Sequence, residues 1–410
     1  MKNQIFLVFI FATFININAQ ETIVEPNDSR AITTGVPFML IAPDARSAAM
    51  GDQGVATSVD GYSQQYNPAK YAFSEAKQGV SLNYTPYLGN LVNDISISYL
   101  TYFNRLNEFS AISGSFKYFS LGQIDLTEDG ENFIPVKPNE FSLDVAYSLR
   151  LADQFAMAVA LRYFNSALQI PNIEGSAAEP ANSFSADITG YYQSEENAYN
   201  NFNGRWRLGF AIQNLGPKFR YNDVGAENFQ PTNLRLGGGF DFIFDDYNTL
   251  AVTAEVTKLL VPTPPQFGYV DTNGNGEQDQ EDDLSTPDID ESEPTTIIAG
   301  QDNNVSFLNG VFQSFGDAPG GFSEEIREFT WALGAEYRYQ DSFAFRAGYF
   351  NEAEDKGARK FFAIGAGFKY TTINIDLSYL FSASDVRSPL ENTLRFSLTF
   401  NFGDGEYDEY

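Results

Sequence analysis

From about residue 78 onward, large apolar positions alternate with small or polar ones. Phe141, Leu143, Val145, Tyr147 and Leu149 alternate with Ser142, Asp144, Ala146, Ser148 and Arg150. Phe155, Met157, Val159, Leu161 and Tyr163 alternate with alanines and Arg162. Trp206, Leu208, Phe210 and Ile212 do the same against Arg205, Arg207, Gly209 and Ala211. Leu394, Phe396, Leu398, Phe400 and Phe402 repeat the pattern against Arg395, Ser397, Thr399 and Asn401. A period of two belongs to extended strands, whose successive side chains leave on opposite faces. The pattern predicts about fourteen strands, over 80–87, 95–103, 109–119, 141–149, 155–164, 184–192, 204–213, 233–243, 249–257, 328–339, 343–350, 361–370, 373–381 and 392–402.

The connections carry a second signal. Those at 104–108, 150–154, 244–248, 340–342 and 371–372 are brief, whereas those at 120–140, 165–183, 258–327 and 351–360 are longer. The stretches 88–94 and 193–203 depart from this alternation. Short turns at one end and long loops at the other describe an outer-membrane barrel, whose closure leaves no strand edge facing lipid. A soluble sandwich would bury one face of each strand against a second sheet, and nothing in it calls for alternating loop lengths. The expected fold is therefore all-β: a 14-stranded antiparallel transmembrane β-barrel over 78–402, with a long acidic extracellular loop at 259–327 and an acidic tail at 403–410.

Composition sharpens this picture. The chain has 38 Phe and 23 Tyr but only 4 Met, as suits strands that face lipid with every second residue. Lys2, the apolar run Ile5 to Phe14 and Ile17-Asn18-Ala19 before Gln20 have the layout of a secretory signal over 1–19. That run is too short to persist as a membrane helix. Residues 20–77 are rich in Ala and Gly and lack the period of two, so they form a hatch or plug, or a periplasmic arm. A net charge of -29 excludes nucleic acid as a partner. With neither Cys nor His, the chain can build no Ser-His-Asp or Cys-His arrangement and no His-bearing zinc site. Paired carboxylates remain, but they sit in loops without a convergent pocket, so no catalytic residue is assigned.

The stretch Pro43-Asp44-Ala45-Arg46-Ser47-Ala48-Ala49-Met50-Gly51-Asp52-Gln53-Gly54-Val55-Ala56, then Asp60 and Tyr66-Asn67-Pro68-Ala69-Lys70-Tyr71-Ala72-Phe73, is specific. It resembles the N-terminal hatch of the FadL-like superfamily, which carries an A-R-x-x-x-M-G-x-x-G-V-A element and a later N-P-A. Within that superfamily it looks most like the PorV (LptO) family, the outer-membrane component of the type IX secretion system of Bacteroidota. The resemblance implies a localisation in the outer membrane, amid its lipid and lipopolysaccharide. It also implies a shuttle: C-terminal signal domains of secreted cargo are received from the outer-membrane translocon and delivered to a PorU-like surface signal peptidase and attachment complex. It marks Arg46, Met50, Gly51, Gly54, Asp60, Asn67 and Pro68 as hatch residues. Where FadL proteins continue N-P-A-G-L, this chain has Asn67-Pro68-Ala69-Lys70-Tyr71, which weakens the alternative, a FadL-type channel for hydrophobic small molecules. An enzyme acting on lipopolysaccharide lacks a recognisable nucleophile–base pair.

Three further features have chemical content. Asp271, Asn273, Asn275, Glu277, Asp279 and Asp282 follow calcium-loop spacing, with Gly276 at the sharp turn and the Glu277 carbonyl as a backbone ligand. They make Ca2+ a candidate ligand of the outer loop, although no cofactor is required; the alternative is a solvated acidic loop. Leu308, Val311, Phe312 and Phe315 have helical spacing, with Phe307 and Phe322 nearby, so the loop carries an apolar patch. That patch either binds cargo or folds the loop over the barrel mouth. Arg205, Arg207, Arg235 and Arg346 face inward with Asp144, Asp241, Glu255, Glu336 and Asp376, giving either a hydrated lumen or a network that grips the hatch.

Overall fold

The computed structural model describes residues 22–24, 30–87, 94–126, 134–168, 180–221, 225–270, 296–384 and 393–404. Fourteen antiparallel strands form one closed sheet. They are β1 (Ala76–Pro86), β2 (Ile95–Arg105), β3 (Ser110–Leu121), β4 (Asn139–Ala152), β5 (Phe155–Ala167), β6 (Ala181–Gln193) and β7 (Asn203–Leu215). Then come β8 (Asn233–Ile243), β9 (Asn248–Leu259), β10 (Phe329–Tyr339), β11 (Phe343–Asn351), β12 (Lys360–Tyr370), β13 (Ile373–Ser382) and β14 (Leu394–Asp404). Each strand pairs with its sequence neighbours, and β14 closes on β1 with Leu398 opposite Leu82 and Phe402 opposite Gln78.

The period of two explains this closure. Along β4, Leu143, Val145 and Tyr147 are exposed on the outer wall while Ser142, Asp144, Ala146 and Ser148 are buried inside. The outer wall is apolar and aromatic because it meets hydrocarbon; the inner wall is polar because it does not. One end of the barrel carries the tight turns at 340–342 and 371–372, and the other carries the long connections, including 260–328.

The wall is irregular at one seam. β6 and β7 shift register between Ile212 and Leu215, and Asn214 adopts a φ of 58°. Beyond that point Gln230 bridges the gap, its Nε2 donating to Phe184 O at 3.0 Å and Pro217 O at 2.9 Å.

The lumen is filled by the chain's own N-terminal segment. A 3-10 turn at Pro37–Leu40 lies near the long-connection end, where Val36, Phe38 and Met39 pack with Ile97, Phe119, Phe164 and Phe219. A short helix, Ala45–Ala49, follows at mid-height and contacts β11 to β14. Ser63–Tyr66 and Pro68–Phe73 end near the tight-turn end, where Tyr71 stacks on Phe103 of β2 at 4.6 Å. The segment thus runs the length of the barrel before β1 begins.

Candidate functional site

Inside the barrel, polar wall residues meet a segment whose backbone cannot satisfy itself. The segment is too irregular to pair all of its own peptide groups, and buried peptide groups need partners. Glu255 of β9 accepts from the N–H groups of Gly54 and Val55 at 2.8 and 2.9 Å. Arg235 holds the other Glu255 oxygen at 2.9 Å. Lys117 of β3 donates to the carbonyls of Met39 and Ile41 at 3.2 and 3.0 Å.

Arg46 is the centre of the contact. Its Nε and Nη2 bind both oxygens of Glu336 at 2.8 and 2.9 Å, and its Nη1 donates to Asp60 at 2.7 Å. Arg346 donates to Glu336 Oε2 as well and also reaches Asp376, both at 2.6 Å. A planar guanidinium suits such a carboxylate because its donors are fixed in a fork. Asp44 caps the helix that carries Arg46, accepting from Ser47 N at 2.8 Å.

The other hatch residues fall into the same body. Met50 is buried, and Gly51 follows it with φ 86°, where a Cβ would lie 2.7 Å from Tyr349 O. Asn67 donates to Val55 O and Gly190 O, each at 2.9 Å, and so joins plug to plug and plug to wall. The Pro68 carbonyl accepts from Ser148 Oγ at 2.7 Å. Lys70 is buried too, donating to Gly54 O at 2.8 Å and to Thr57 Oγ1 at 3.1 Å.

The inward charges therefore grip the N-terminal segment and one another, so a simply hydrated lumen does not describe them. Asp144 and Asp187 share Arg162, at 2.8 and 3.0 Å, and Asp241 pairs with Arg207 at 2.7 Å. Arg205 departs from the group: it is partly exposed and lies 3.5 Å from Glu196. The sequence pattern gives no role to Arg162 or Lys117, and marks Lys70 only as a departure from the N-P-A-G-L element. Strand parity alone would have placed the first two inside, whereas Lys70 lies in an irregular stretch with no parity to read.

A polar cavity of about 450 Å³ remains beneath the plug. Arg46, Asp60, Glu336, Arg346 and Asp376 line it, and it reaches residues of the tight turns such as Ser342 and Thr371. The apolar cluster of Val36, Phe38 and Met39 fills the lumen at the opposite end.

The long-connection end carries two short helices, Phe307–Gln313 and Phe322–Arg327. Phe312 and Phe322 are 77% and 80% exposed, and Leu308 and Phe315 are exposed as well. Phe307 and Val311 are half-buried. Buried Gly310 turns the first helix onto Phe229 and Pro262.

The acidic face of the second helix points inward. Lys258 reaches Glu328 at 2.5 Å and Glu325 at 3.3 Å, while Lys356 reaches Glu324 at 2.6 Å and Glu328 at 3.0 Å. Burial pushes the nearby Asp317 carboxyl up to about 6, although Thr263 N donates to it at 3.1 Å. The calcium-spaced residues Asp271, Asn273, Asn275, Glu277, Asp279 and Asp282 lie outside the described residues.

Comparison with known proteins follows the same lines. The family model of "Type IX secretion system protein PorV" matches residues 24–266, more than half of the 410-residue chain. No curated protein matches the chain. Among solved structures, the TodX monoaromatic hydrocarbon channel deltaS2 mutant is similar at a TM-score of 0.50 and 11% identity, over 89% of this chain and 100% of that one. The TodX deltaS2S3 mutant gives 0.50 and 12%, over 88% and 99%. A Pseudomonas aeruginosa FadL homologue gives 0.44 and 11%, over 92% and 100%. At these identities the two TodX likenesses speak to the fold alone.

Proposed function

Because this chain belongs to the PorV family of type IX secretion system proteins, we propose that it captures the C-terminal signal domains of secreted cargo on its exposed helix pair and passes them on. The protein is an integral β-barrel of the bacterial outer membrane and a component of that secretion system. In the proposed cycle, cargo leaves the outer-membrane translocon, is held at the long-connection end, and is delivered to a PorU-like surface signal peptidase. That end is assigned to the cell exterior, since outer-membrane barrels keep short turns on the periplasmic side.

The observation that carries the proposal is the exposure of Phe312 and Phe322 on two helices whose opposite faces are fixed, the first by Gly310 packed on Phe229 and Pro262 and the second by buried ion pairs. Large apolar side chains held toward water mark a partner surface. Burying each one fully is worth about 1.5–3 kcal/mol, so a few could anchor a domain. Changing Phe312 and Phe315 to Ser should leave the barrel assembled and weaken capture of a purified cargo signal domain. Such an apolar contact should also persist in raised salt, because screening acts on charges.

The second reading is FadL-type passage of hydrophobic small molecules, and the shared fold is its support. It requires the plug to move, because Val36, Phe38 and Met39 occupy the apolar end of the lumen. A tether between plug and wall separates the two readings. The Cβ of Ala56 lies 3.1 Å from the place a Cβ would take at Gly237, close to disulfide spacing. Ala56→Cys with Gly237→Cys should leave cargo capture intact. Loss of function on oxidation, with no effect of the Phe changes, would replace the shuttle by the transporter.

A further inference from the structure

The first described strand of the chain lies outside the barrel. Thr22–Val24 runs antiparallel to Gln266–Val270, with Ile23 opposite Tyr269. The far edge of Gln266–Val270 pairs with Thr296–Ala299. Both partner strands belong to the insertion between β9 and β10, so the N-terminal segment supplies the outer strand of a sheet that the insertion begins.

A second contact lies nearer the plug. Arg30 Nε is 3.2 Å from Glu324 Oε1, and the Arg30 carbonyl accepts from Lys356 Nζ at 3.2 Å. The Glu324 side chain is wholly buried, and a buried carboxylate is strongly disfavoured without cations around it. Lys356 comes from the connection between β11 and β12, and Arg30 from the chain just before the plug, which begins with fully buried Val36. Within the helix Phe322–Arg327, Glu324 and Glu325 face inward while Phe322 and Ile326, four residues apart, face water. Whatever holds the acidic face therefore sets the direction of Phe322.

We propose that the chain before the plug, through residues 22–24 and 30–36, acts as a strap at the long-connection end: it puts Thr22–Val24 at the cell surface and positions the helix that presents Phe322. The positioning role rests on the reading of that helix pair as the cargo surface; the path of the strap does not. Arg30 is a positioning residue, acting through Glu324 and touching no cargo.

The chain contains no cysteine, so an introduced pair reports without background. Directly opposed residues of an antiparallel ladder have Cα atoms about 4.5–5.5 Å apart, within the reach of a disulfide. Ile23→Cys with Tyr269→Cys should close a disulfide in the full-length protein in its membrane, and a membrane-impermeant reductant added to whole cells should open it. Arg30→Ala should weaken capture of a purified cargo signal domain about tenfold, a modest loss of binding energy. Arg30→Lys should recover most of that loss, and the heat-modifiable gel shift of the folded barrel should stay unchanged in both.

Failure of the disulfide to form, or its opening only after permeabilisation, overturns the strap whatever the Phe variants do. A disulfide that forms while Arg30→Ala captures like wild type overturns the positioning role. If the Phe312 and Phe315 changes leave capture intact, the cargo reading fails instead, and the disulfide still decides the path of the strap.

Discussion

One guanidinium carries much of the connection between plug and wall. Arg46 satisfies Glu336 on a strand and Asp60 on the plug at once, and all three side chains are largely withdrawn from water. Arg46→Ala would leave Glu336 and Asp60 short of a cation, and breaking a buried pair from one side costs about 3–5 kcal/mol. The expected result is a folded barrel whose segment 37–73 becomes sensitive to protease, with a lower midpoint of heat modification. At the long-connection end, Asp317 makes a pH prediction. Its folded value of about 6 lies above its ordinary 3.8, so its stabilising contribution is complete below about 3.8 and is lost as pH rises through 6. Glu328 is shifted the opposite way: burial raises its value, but Lys258, Thr263 and Lys356 outweigh that and hold it below its ordinary 4.5, so it weakens the region only as pH falls below that value. Between about pH 4.5 and 6, proteolysis of 296–328 should quicken with rising pH, and Asp317→Asn should flatten that rise. The calcium proposal is also a matter of single residues. Replacing Asp271 and Asp279 by Ala should abolish protection of the insertion by millimolar calcium, since extracellular sites can be as weak as about 10⁻³ M. Equal cleavage of wild type and variant, with and without calcium, would leave only an acidic loop.

Among the elements, the insertion between β9 and β10 is set apart from the other described connections by its two α-helices. It carries strands, two helices and a buried set of carboxylates answered by Lys258 and Lys356. Protease added to intact cells should cut within 259–327 and spare 150–154 and 340–342. Cutting there only after the outer membrane is permeabilised would invert the assigned orientation. The seam between β6 and β7 belongs to the same scale. There Asn214 and Gln230 supply by side chain the hydrogen bonds that the shifted ladder no longer supplies.

For the whole molecule, the question is whether the lumen conducts. The plug meets the wall along the barrel's length, through Lys117 near one end, Glu255 and Glu336 at mid-height, and Ser148 near the other. The protein in a planar bilayer should therefore show no steady stepwise current. Removing 37–73 should open a channel, because the remaining inner wall is polar. A conducting wild type would favour the transporter reading over the shuttle.

The amino-acid pattern was sufficient for the strands, because a wall between lipid and a polar interior imposes the period of two on every residue that crosses it. It placed the fourteen strands within a few residues, and put Asp144, Asp241, Glu255, Glu336 and Asp376 on the inner face, since parity in a strand is a local property. Motif spacing marked Arg46 and Asn67 as hatch residues, but not what they touch. Arg46 meets Glu336, 290 positions further along the chain, and no local rule carries over that distance. The same limit applies to Lys70 and to Arg30, whose partners are set by the path of an irregular segment through a closed barrel. Helical spacing at Leu308, Val311, Phe312 and Phe315 left open whether the patch turns inward or out. Only the tertiary structure decided that, because the buried faces went to Gly310 and to the carboxylates paired with Lys258 and Lys356, leaving Phe312 and Phe322 to water.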